Sequence, residues 1–171
     1  FNESIAELVD NSVDARTDEQ KEGKEKLVVQ IIIDTTKHEI IVKDNGKGMD
    51  EEKAANAIVL AKSSKSKEDL GEYGFGLKTA ALSIGKTFYV TTGQFGVNKG
   101  YNLKYDEEEW ETNPDLSWDS FPFHEVKKPE QEHGTNIKID NLKIKLNPTR
   151  VTSLKDDLGK RYRAYINKGL L

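Results

Sequence analysis

The stretch "GEYGFGLK", Gly71–Lys78, places three glycines directly before a segment, Leu77–Ile84, whose apolar residues predict a helix. Glycines in this position leave consecutive backbone N–H groups free, and the N-terminus of a helix favours an anion. We therefore expect Gly71, Gly74 and Gly76 to form a bend that binds phosphate.

A second glycine phrase, "SIGKT" at Ser83–Thr87, has the wrong spacing for a P-loop. A P-loop needs a glycine five residues before its Gly-Lys pair, and counting back from Gly85 gives Ala80. "SIGKT" is predicted to be the end of a helix that turns into the next strand. Lys78 in the first helical turn would add a positive charge beside a phosphate, and the polar segment Ser63–Tyr73 is predicted to be a flexible lid.

The composition indicates one globular domain without a membrane segment. The chain has 171 residues, 33% of them charged, which suits one ordinary core in a soluble protein. No apolar run approaches the roughly 18 residues that a membrane helix requires. Because the chain begins at Phe1 without a signal-like segment, we expect a single domain, residues 1–171, cut from a longer protein.

Several kinds of site are excluded by the residue types and their spacing. The chain has no cysteine, which excludes disulfides and thiolate metal sites and suits a cytoplasmic location, or a nuclear one in a eukaryote. The net charge of -4 argues against a DNA- or membrane-binding surface spread over the domain. His38, His124 and His133 have no metal-ligand spacing, and the chain has no nucleophile elbow.

Hydrophobic periodicity outside the glycine stretch predicts an α+β fold. The predicted helices are Glu3–Ala15, Asp50–Ala61, Leu77–Ile84 and Val151–Lys168, and the predicted strands are Leu27–Asp34, Ile40–Asp44, Thr87–Thr92, Gly100–Tyr105 and Thr135–Leu142. The first strand is apolar and β-branched, which predicts burial on both faces, and the second is expected to pair with it as a hairpin.

Two segments are predicted to lack regular structure. Thr17–Lys26 is a charged, solvated connection, and Asp106–His133 is an acidic, aromatic loop. Few basic residues are interleaved with the aromatic residues of this loop, so they are expected to anchor it to the core rather than to stack on nucleic-acid bases. These residues are Trp110, Trp118, Phe121 and Phe123.

Four short stretches follow one another along the chain: "ELVDN" from Glu7, "DNGKGM" from Asp44, "GEYGFGLK" from Gly71 and "HGT" from His133. Their order resembles the GHKL ATPases, the group of DNA gyrase, the large heat-shock chaperone, sensor histidine kinases and MutL. Within that group "YGFGLKTAALSIGK" is most similar to MORC-type ATPases, and "ELVDNSVDA" fits MutL equally well. The resemblance covers Ser4–Asn141 and implies a Bergerat-type two-layer α/β sandwich, with one mixed, mostly antiparallel sheet and helices on one face.

Glu7 and Asn11 lie four residues apart, on one face of the first predicted helix. Mg²⁺ prefers hard oxygen ligands and keeps phosphate oxygens and waters as its others, so Asn11 is the candidate metal ligand. Glu7 is the candidate general base for a water that attacks the γ-phosphate. The alternative is a solvated polar helix face. Asp10 and Asp14 are expected to serve helix ends or salt bridges.

Asp44 would sit partly buried at the end of a strand, where a carboxylate needs a donor. The exocyclic amine of adenine is such a donor, and the resemblance implies the same contact, helped by a water. Gly46 and Gly48 let the backbone approach a flat base, and Met49 offers an adaptable apolar surface. The hydroxyl of Thr135 would hold Asp44 or the water. A hairpin-exit turn and an ordinary strand-edge threonine are the alternatives.

The resemblance implies further nucleotide-binding positions. In the chaperone branch an Asn and, six residues later, a Lys approach the nucleotide, and these are Asn56 and Lys62 here. A solvated cation at a helix end is the alternative for Lys62. The glycine phrase and the helix start after it complete the expected binding residues: Gly71, Tyr73, Gly74, Phe75, Gly76, Leu77 and Lys78.

The resemblance implies a Mg-dependent ATPase, with ATP and Mg²⁺ as cofactors, whose lid closes over ATP and whose slow hydrolysis resets a conformational switch. One alternative is phosphotransfer of the histidine-kinase type, although such kinases usually carry Asn where this chain has Glu7. Another is a nucleotide-sensing module with little turnover, because the chain stops at Leu171 before the domain that supplies a lysine to the γ-phosphate in relatives. We also expect ATP and ADP as ligands, an ATP-dependent homodimer, and contacts with nucleic acid or client proteins only through segments outside this chain.

Overall fold

The computed structural model describes residues 1–57, 76–117 and 122–171. The helices of these residues are α1 (Asn2–Asp14), α2 (Asp18–Lys21), α3 (Glu51–Asn56), α4 (Gly76–Ile84), α5 (Glu107–Thr112), α6 (Pro148–Arg161) and α7 (Arg163–Asn167). The strands are β1 (Val29–Asp34), β2 (Glu39–Asp44), β3 (Gly85–Gly93), β4 (Lys99–Asp106), β5 (Phe123–Lys127) and β6 (Gly134–Leu142). They form one sheet in the order β1-β2-β6-β3-β4-β5, and every described pair is antiparallel. The predicted α+β class is confirmed.

One face of the sheet is apolar, because alternate residues of a strand point to the same side. The register places Val42 opposite Ile137, Ile137 opposite Val90 and Val90 opposite Leu103, across four neighbouring strands. These side chains are at most 4% exposed, and they share a core with residues of α1 and α4. Sheet and helices are the two layers that the sequence predicted.

Helices α1 and α4 pack together on this apolar face. Ile5, Leu8 and Val9 of α1 are at most 3% exposed and form one apolar stripe along the helix. Burial of each such side chain stabilises the fold by about 1.5–3 kcal/mol. Ser4 of α1 and Ser83 of α4 share a hydrogen bond of 2.8 Å between their hydroxyl oxygens. The two helices that carry Glu7, Asn11 and Lys78 are therefore held side by side.

The prediction that the first strand is buried on both faces is wrong. β1 lies at the edge of the sheet. Val28, just before the strand, is 49% exposed, and Ile32 within it is 48% exposed. β-branched side chains favour a strand whether its face is covered or open, so an apolar run alone does not distinguish the two cases.

The connection Thr17–Lys26, predicted to be solvated, contains the short helix α2. Thr17 Oγ1 accepts a hydrogen bond from the backbone N–H of Gln20 at 3.1 Å, and Gln20 Oε1 accepts one from the N–H of Thr17 at 3.0 Å. This capping box begins the helix. Gln20 is fully buried and donates to the carbonyl oxygen of Asn45 at 2.9 Å. A helix of one turn depends on such tertiary contacts, which is why its charged sequence did not reveal it.

The prediction of an irregular loop over Asp106–His133 is also wrong, because the segment contains α5 and β5. Asp106 caps α5 by accepting a hydrogen bond from the backbone N–H of Glu109 at 3.4 Å. β5 pairs with β4 and is the outer strand on this side of the sheet. An outer strand has no continuous apolar face to bury, so its sequence pattern is weak.

The aromatic residues of this segment anchor it, as predicted, where the structure describes them. The ring of Trp110 lies 5.5 Å from that of Tyr105, and the ring of Phe123 lies 5.7 Å from that of Tyr101. All four belong to the core or pack against it. Two further predicted anchors, Trp118 and Phe121, lie outside the described residues.

The C-terminal helix predicted over Val151–Lys168 is two helices, α6 and α7, which meet at Tyr162. Tyr162 has φ -98° and ψ 10°. Its hydroxyl lies 2.7 Å from Asp10 Oδ1 and 2.9 Å from the carbonyl oxygen of Ala6, both in α1. Tyr162 is buried at this break, which helical periodicity alone did not predict. Gly169, at φ +66°, follows the end of α7 in the left-handed conformation that glycine favours.

Candidate functional site

Asp44 lies at the end of β2 and is 7% exposed. Its Oδ1 accepts hydrogen bonds from the backbone N–H groups of Gly46 at 2.9 Å and Thr135 at 3.1 Å. Its Oδ2 accepts one from the hydroxyl of Ser12 at 3.0 Å. Burial raises the pKa of the Asp44 carboxyl, while these donors and the nearby His133 oppose the rise. Carboxylate oxygens have four acceptor positions in total, so Asp44 retains capacity for one more donor.

The turn after β2 packs so closely on its neighbours that it requires glycine. Gly48 has φ +68°, and a Cβ there would overlap the carbonyl oxygen of Gly93 at the end of β3. A Cβ at Gly46 would lie 2.6 Å from the carbonyl oxygen of Ala15. The backbone N–H of Lys47 donates to that same oxygen at 2.7 Å. The turn is therefore held between the end of α1 and the end of β3.

Thr92 and Thr135 hold this turn from the side of the sheet. Thr92 Oγ1 accepts a hydrogen bond from the backbone N–H of Met49 at 3.0 Å, and it lies 3.0 Å from the hydroxyl of Thr135. The predicted contact of the Thr135 hydroxyl with Asp44 is made instead by the Thr135 backbone N–H. The register explains the difference, because it pairs Thr135 with Thr92 and turns the two hydroxyls toward each other.

Glu7 and Asn11 lie one turn apart on α1, as their spacing predicted. A Cβ at Gly76 would overlap the carboxylate of Glu7, so the first residue of α4 lies directly against that carboxylate. Asn11 Nδ2 is buried and has no hydrogen-bond partner among the described residues. Leaving a buried amide unpaired costs about 1–3 kcal/mol, and a polar ligand at this point would remove that cost.

Helix α1 connects the two parts of the site. Ser12 donates to Asp44, and Glu7, five residues earlier, lies against Gly76. The structure thus brings together the first helix, the turn after the second strand and the start of α4. Asn11 lies between the two contacts along the helix.

The side chains at this point suit a magnesium ion that is held largely by a bound phosphate. The described residues contain no cluster of three or more His, Cys, Asp or Glu side chains that could hold a metal on its own. Mg²⁺ usually takes one or two protein ligands and completes its shell with phosphate oxygens and waters. Asn11 offers one amide oxygen, and Glu7 lies one helical turn away. A single amide ligand fits that mode of binding.

Lys78 in the first turn of α4 is only 7% exposed, and burial lowers its pKa to about 8. An anion beside this group would stabilise the ammonium and raise its pKa again. Leu77 next to it is 8% exposed and belongs to the core, so its predicted contact with a nucleotide stays a prediction.

The predicted residues of the second helix are only partly described. α3 ends at Asn56, whose Nδ2 donates to the carbonyl oxygen of Glu52 at 2.8 Å. Its predicted contact with phosphate or ribose stays a prediction. The remainder of the predicted helix beyond residue 57, the predicted lid and five predicted binding residues lie outside the described residues. The five are Lys62, Gly71, Tyr73, Gly74 and Phe75.

Sequence reasoning missed the residues that hold Asp44 and its turn in place. These are Ser12, Gln20, Thr92 and His133, whose Nδ1 lies 2.8 Å from the carbonyl oxygen of Gly46. Ser12 is separated from Asp44 by 32 positions, and His133 from Gly46 by 87. Contacts at such separations leave no local signal in the sequence.

Two hollows of the described surface, of about 610 and 620 Å³, lie elsewhere. Both are lined by Asn2, Thr149 and Ser153, where the start of α1 meets α6. Neither lining includes Glu7 or Asp44. Among the described residues, each helix is too short or too polar to span a bilayer.

Residues 1–135 match the family described as histidine kinase-, DNA gyrase B-, and HSP90-like ATPase. The chain is 25% identical over 163 residues to ATPase morc-1 of Caenorhabditis elegans, an alignment of 91% of this chain and 18% of that protein. It is 37% identical over 95 residues to human ATPase MORC2, covering 52% of this chain and 8% of that protein. The chain therefore spans less than a fifth of the length of these relatives.

The ATPase region of topoisomerase II from Saccharomyces cerevisiae has a similar structure, with a TM-score of 0.63 and 16% sequence identity, over 91% of this chain and 43% of that chain. At this identity the likeness shows the fold alone, and it agrees with the predicted two-layer sandwich. The GHKL resemblance and its MORC-type character, which the motifs predicted, are confirmed by the family match and the MORC relatives. The chain belongs to the histidine kinase-, DNA gyrase B- and HSP90-like ATPase family.

Proposed function

We propose that this chain binds Mg-ATP along α1, with the adenine at Asp44 and the phosphates at the start of α4, and hydrolyses it slowly. The proposal is supported above all by the two contacts of α1. Ser12 donates to Asp44, and the carboxylate of Glu7 lies against Gly76. Five residues of helix rise about 7.5 Å, so the two contacts are separated along α1 by a distance that one nucleotide can span.

Asp44 recognises the base in this proposal. Its buried carboxylate already accepts three hydrogen bonds and retains room for a fourth donor. Adenine presents an exocyclic amine, whereas guanine presents a carbonyl oxygen at the same position. A carboxylate accepts from the amine and repels the carbonyl, so Asp44 favours ATP over GTP.

Glu7 and Lys78 act at the phosphate end. Glu7 accepts a proton from the water that attacks the γ-phosphorus, while the bond to the bridging oxygen breaks and ADP leaves with the electron pair. The ammonium of Lys78 offsets phosphate charge from the first turn of α4. Asn11 would hold Mg²⁺, which when bound neutralises phosphate charge and polarises the phosphoryl group.

A conformational switch driven by this cycle is the second part of the proposal. ATP binding closes the lid over the nucleotide and favours a homodimer, and hydrolysis reverses both changes. Light scattering with a non-hydrolysable ATP analogue tests the dimer directly. A mass that stays that of the 19.3 kDa monomer at saturating analogue would remove dimerisation from the proposal.

Calorimetric titration tests the binding part. We expect ATP and ADP to bind in the presence of Mg²⁺, ATP to bind more weakly when EDTA removes the metal, and GTP to bind more weakly than ATP. Equal binding of ATP and GTP would contradict base recognition by Asp44. Absence of any ATP binding would overturn the proposed function.

Replacement of Glu7 tests the hydrolytic part. Glu7→Ala is expected to leave ATP binding nearly intact and to lower phosphate release by about 10²–10⁴-fold, the usual contribution of a general base. Glu25→Ala, at an exposed position away from the site, is the control and is expected to keep turnover. An equal loss of binding and turnover in Glu7→Ala would contradict the assigned role.

A further inference from the structure

Lys128, directly after β5, holds its ammonium group inside a ring of backbone carbonyl oxygens. The oxygens belong to Gln94, Val97, Pro129 and Glu132, at 2.7, 2.7, 3.2 and 2.5 Å from Nζ. An ammonium has three N–H donors, so these acceptors outnumber the bonds that it can make one to one. A surplus of converging oxygens is the arrangement that binds a small spherical cation.

The stem of Lys128 reaches this ring across two glycines. A Cβ at Gly93 would overlap the end of the Lys128 side chain, and one at Gly100 would lie 3.3 Å from its Cδ. Gly93 and Gly100 are paired on β3 and β4. The two strands therefore leave room for the stem, and a larger residue at either position would compete with it.

The ring joins two segments, residues 94–98 and 129–133, which we call the paired loops. The backbone N–H of Gly96 donates to the carbonyl oxygen of Glu130 at 2.8 Å, and that of Lys128 donates to Asn98 at 3.1 Å. Carbonyl oxygens that converge on one point repel each other unless a cation lies between them. The Lys128 ammonium is that cation.

The paired loops lie against the turn after β2. Gly93 precedes the first loop, Gly134 follows the second, and the two glycines are paired in the sheet. A Cβ at Gly48 would overlap the carbonyl oxygen of Gly93 and lie 3.1 Å from that of Gly134. His133, in the second loop, has its Nδ1 2.8 Å from the carbonyl oxygen of Gly46. The position of the loops thus sets the position of the turn that presents Asp44.

We propose that Lys128 is a built-in monovalent cation: its ammonium fills a carbonyl site of the kind that takes Na⁺ or K⁺, and it shapes the adenine end of the site without added metal. Backbone carbonyls replace the hydration shell of alkali ions, so removal of the ammonium leaves a site that such an ion can fill. The effect on nucleotide binding rests on the proposed function, whereas the cation site does not.

The test compares Lys128→Met with the native chain in choline chloride and in potassium chloride at equal ionic strength. Two readouts are used: hydrogen exchange of the Gly96 amide, which reports on the paired loops alone, and ATP binding. In choline, the Gly96 amide of Lys128→Met is expected to exchange its hydrogen faster than in the native chain. ATP is expected to bind the variant about tenfold more weakly, which corresponds to the loss of one or two charge-assisted hydrogen bonds. Potassium is expected to restore most of both losses, and the native chain is expected to be indifferent to the cation.

Two controls separate occupancy of the ring from general salt effects. Lys127→Met removes a neighbouring exposed lysine and is expected to behave as the native chain. Lys128→Arg keeps a positive charge in the loops and is expected to show no rescue by potassium. If potassium restored Lys128→Arg as fully as Lys128→Met, the proposal would be overturned, because potassium would then act without entering an empty carbonyl ring.

The remaining outcomes also decide the matter. The proposal would be overturned if Lys128→Met showed the exchange rate and ATP affinity of the native chain in choline. It would also be overturned if both readouts stayed impaired in potassium and in sodium. A variant that folds only with an alkali ion supports it, and one that folds in none of the salts overturns it. If the native chain binds no ATP, the proposed function fails, and the Gly96 exchange in the two salts still decides whether Lys128 occupies a cation site.

Discussion

Asp44 is a buried carboxylate that the fold surrounds with backbone and hydroxyl donors. Its pKa is raised from the ordinary value of 3.8, mainly by burial. The folded chain therefore holds this proton more tightly than the unfolded chain, and stability falls as pH rises from 3.8 through the raised pKa. Keeping this charge buried thus costs stability. A ligand that donates a further hydrogen bond offsets the cost, which is what the proposed adenine contact does.

Asp44→Asn should separate stability from recognition. The neutral amide is expected to fold at least as stably as the carboxylate near neutral pH, and to bind ATP about 10–100-fold more weakly because a charge-assisted hydrogen bond is lost. Thermal unfolding and calorimetric titration measure the two effects. Asp115→Asn, at an exposed position, is the control. An unchanged preference for ATP over GTP would place Asp44 outside the base-binding site.

Lys78, like Asp44, is a charged side chain that is buried in the fold, but its charge is positive. Its pKa is about 8 in the folded chain, against the ordinary value of 10.5. The unfolded chain binds the proton more tightly between these values, so this group makes stability rise as pH increases from about 8 to 10.5. The charged lysine therefore weakens the fold at neutral pH, in a place where a phosphate would stabilise it.

Lys78→Met should remove that pH dependence. The variant is expected to gain about 1–3 kcal/mol of unfolding free energy at pH 7 and to lose the rise above pH 8, while ATP binding weakens about tenfold. Denaturant unfolding at pH 7–10 and ATP titration test both expectations. Lys155→Met, at an exposed position of α6, should follow the native curve. Parallel curves for Lys78→Met and the native chain would contradict the assigned burial cost.

At the scale of elements, the C-terminal helices hold α1 in place. Arg161 Nη1 lies 3.0 Å from Glu3 Oε2, and its Nη2 lies 3.0 Å from Asp10 Oδ2. The hydroxyl of Tyr162 lies 2.7 Å from Asp10 Oδ1. Burial and this hydrogen bond hold the pKa of Tyr162 well above its ordinary value. The predicted salt-bridge role of Asp10 is confirmed, and it ties the helix that carries Glu7 to the end of α6.

Tyr162→Phe should show what this tie contributes. The change leaves Asp10 and the Ala6 carbonyl oxygen without the hydroxyl donor, which is expected to cost about 1–3 kcal/mol. For a chain of this size that corresponds to a fall in melting temperature of about 2–12 °C, measured by calorimetry. The matched control is Tyr165→Phe, because the contact of Tyr165 is made by its ring, 5.4 Å from the Arg16 guanidinium. Equal melting temperatures of the two variants would contradict a stabilising role of the Tyr162 hydroxyl.

At the scale of the whole molecule, the candidate site lies where the helical layer meets one end of the sheet. α1 and α4 contribute Glu7 and Lys78, and the ends of β2, β3 and β6 contribute Asp44, Thr92 and Thr135. A ligand there contacts both layers at once. It therefore binds the folded chain and not the unfolded one, and its binding energy appears directly as stability.

Mg-ATP should consequently raise the melting temperature of the whole domain. At a free concentration of about 100 times Kd the expected stabilisation is about 2.7 kcal/mol, or about 5–11 °C. GTP at the same concentration is expected to give a smaller shift, and addition of EDTA should reduce the shift with ATP. The same shift with and without EDTA would contradict the part assigned to the metal.

The sequence by itself determined the order of the main helices and strands, the shared helix face of Glu7 and Asn11, the strand-end position of Asp44 and the family. These features are local: helical spacing puts residues four apart on one face, and glycine-rich turns follow from backbone freedom over a few residues. The four motifs also predicted the family from the sequence alone, because their order along the chain is typical of that family.

Only the tertiary structure decided which groups surround those residues. The donors to Asp44 from Ser12 and Thr135, the contact of Glu7 with Gly76, the exposed edge at Ile32 and the carbonyl ring around Lys128 all join segments that packing brings together. No local pattern encodes them, because each depends on the register of strands and on the way helices pack on the sheet. The sequence predicted which residues could bind the nucleotide or act on it, and the fold determined which groups surround them.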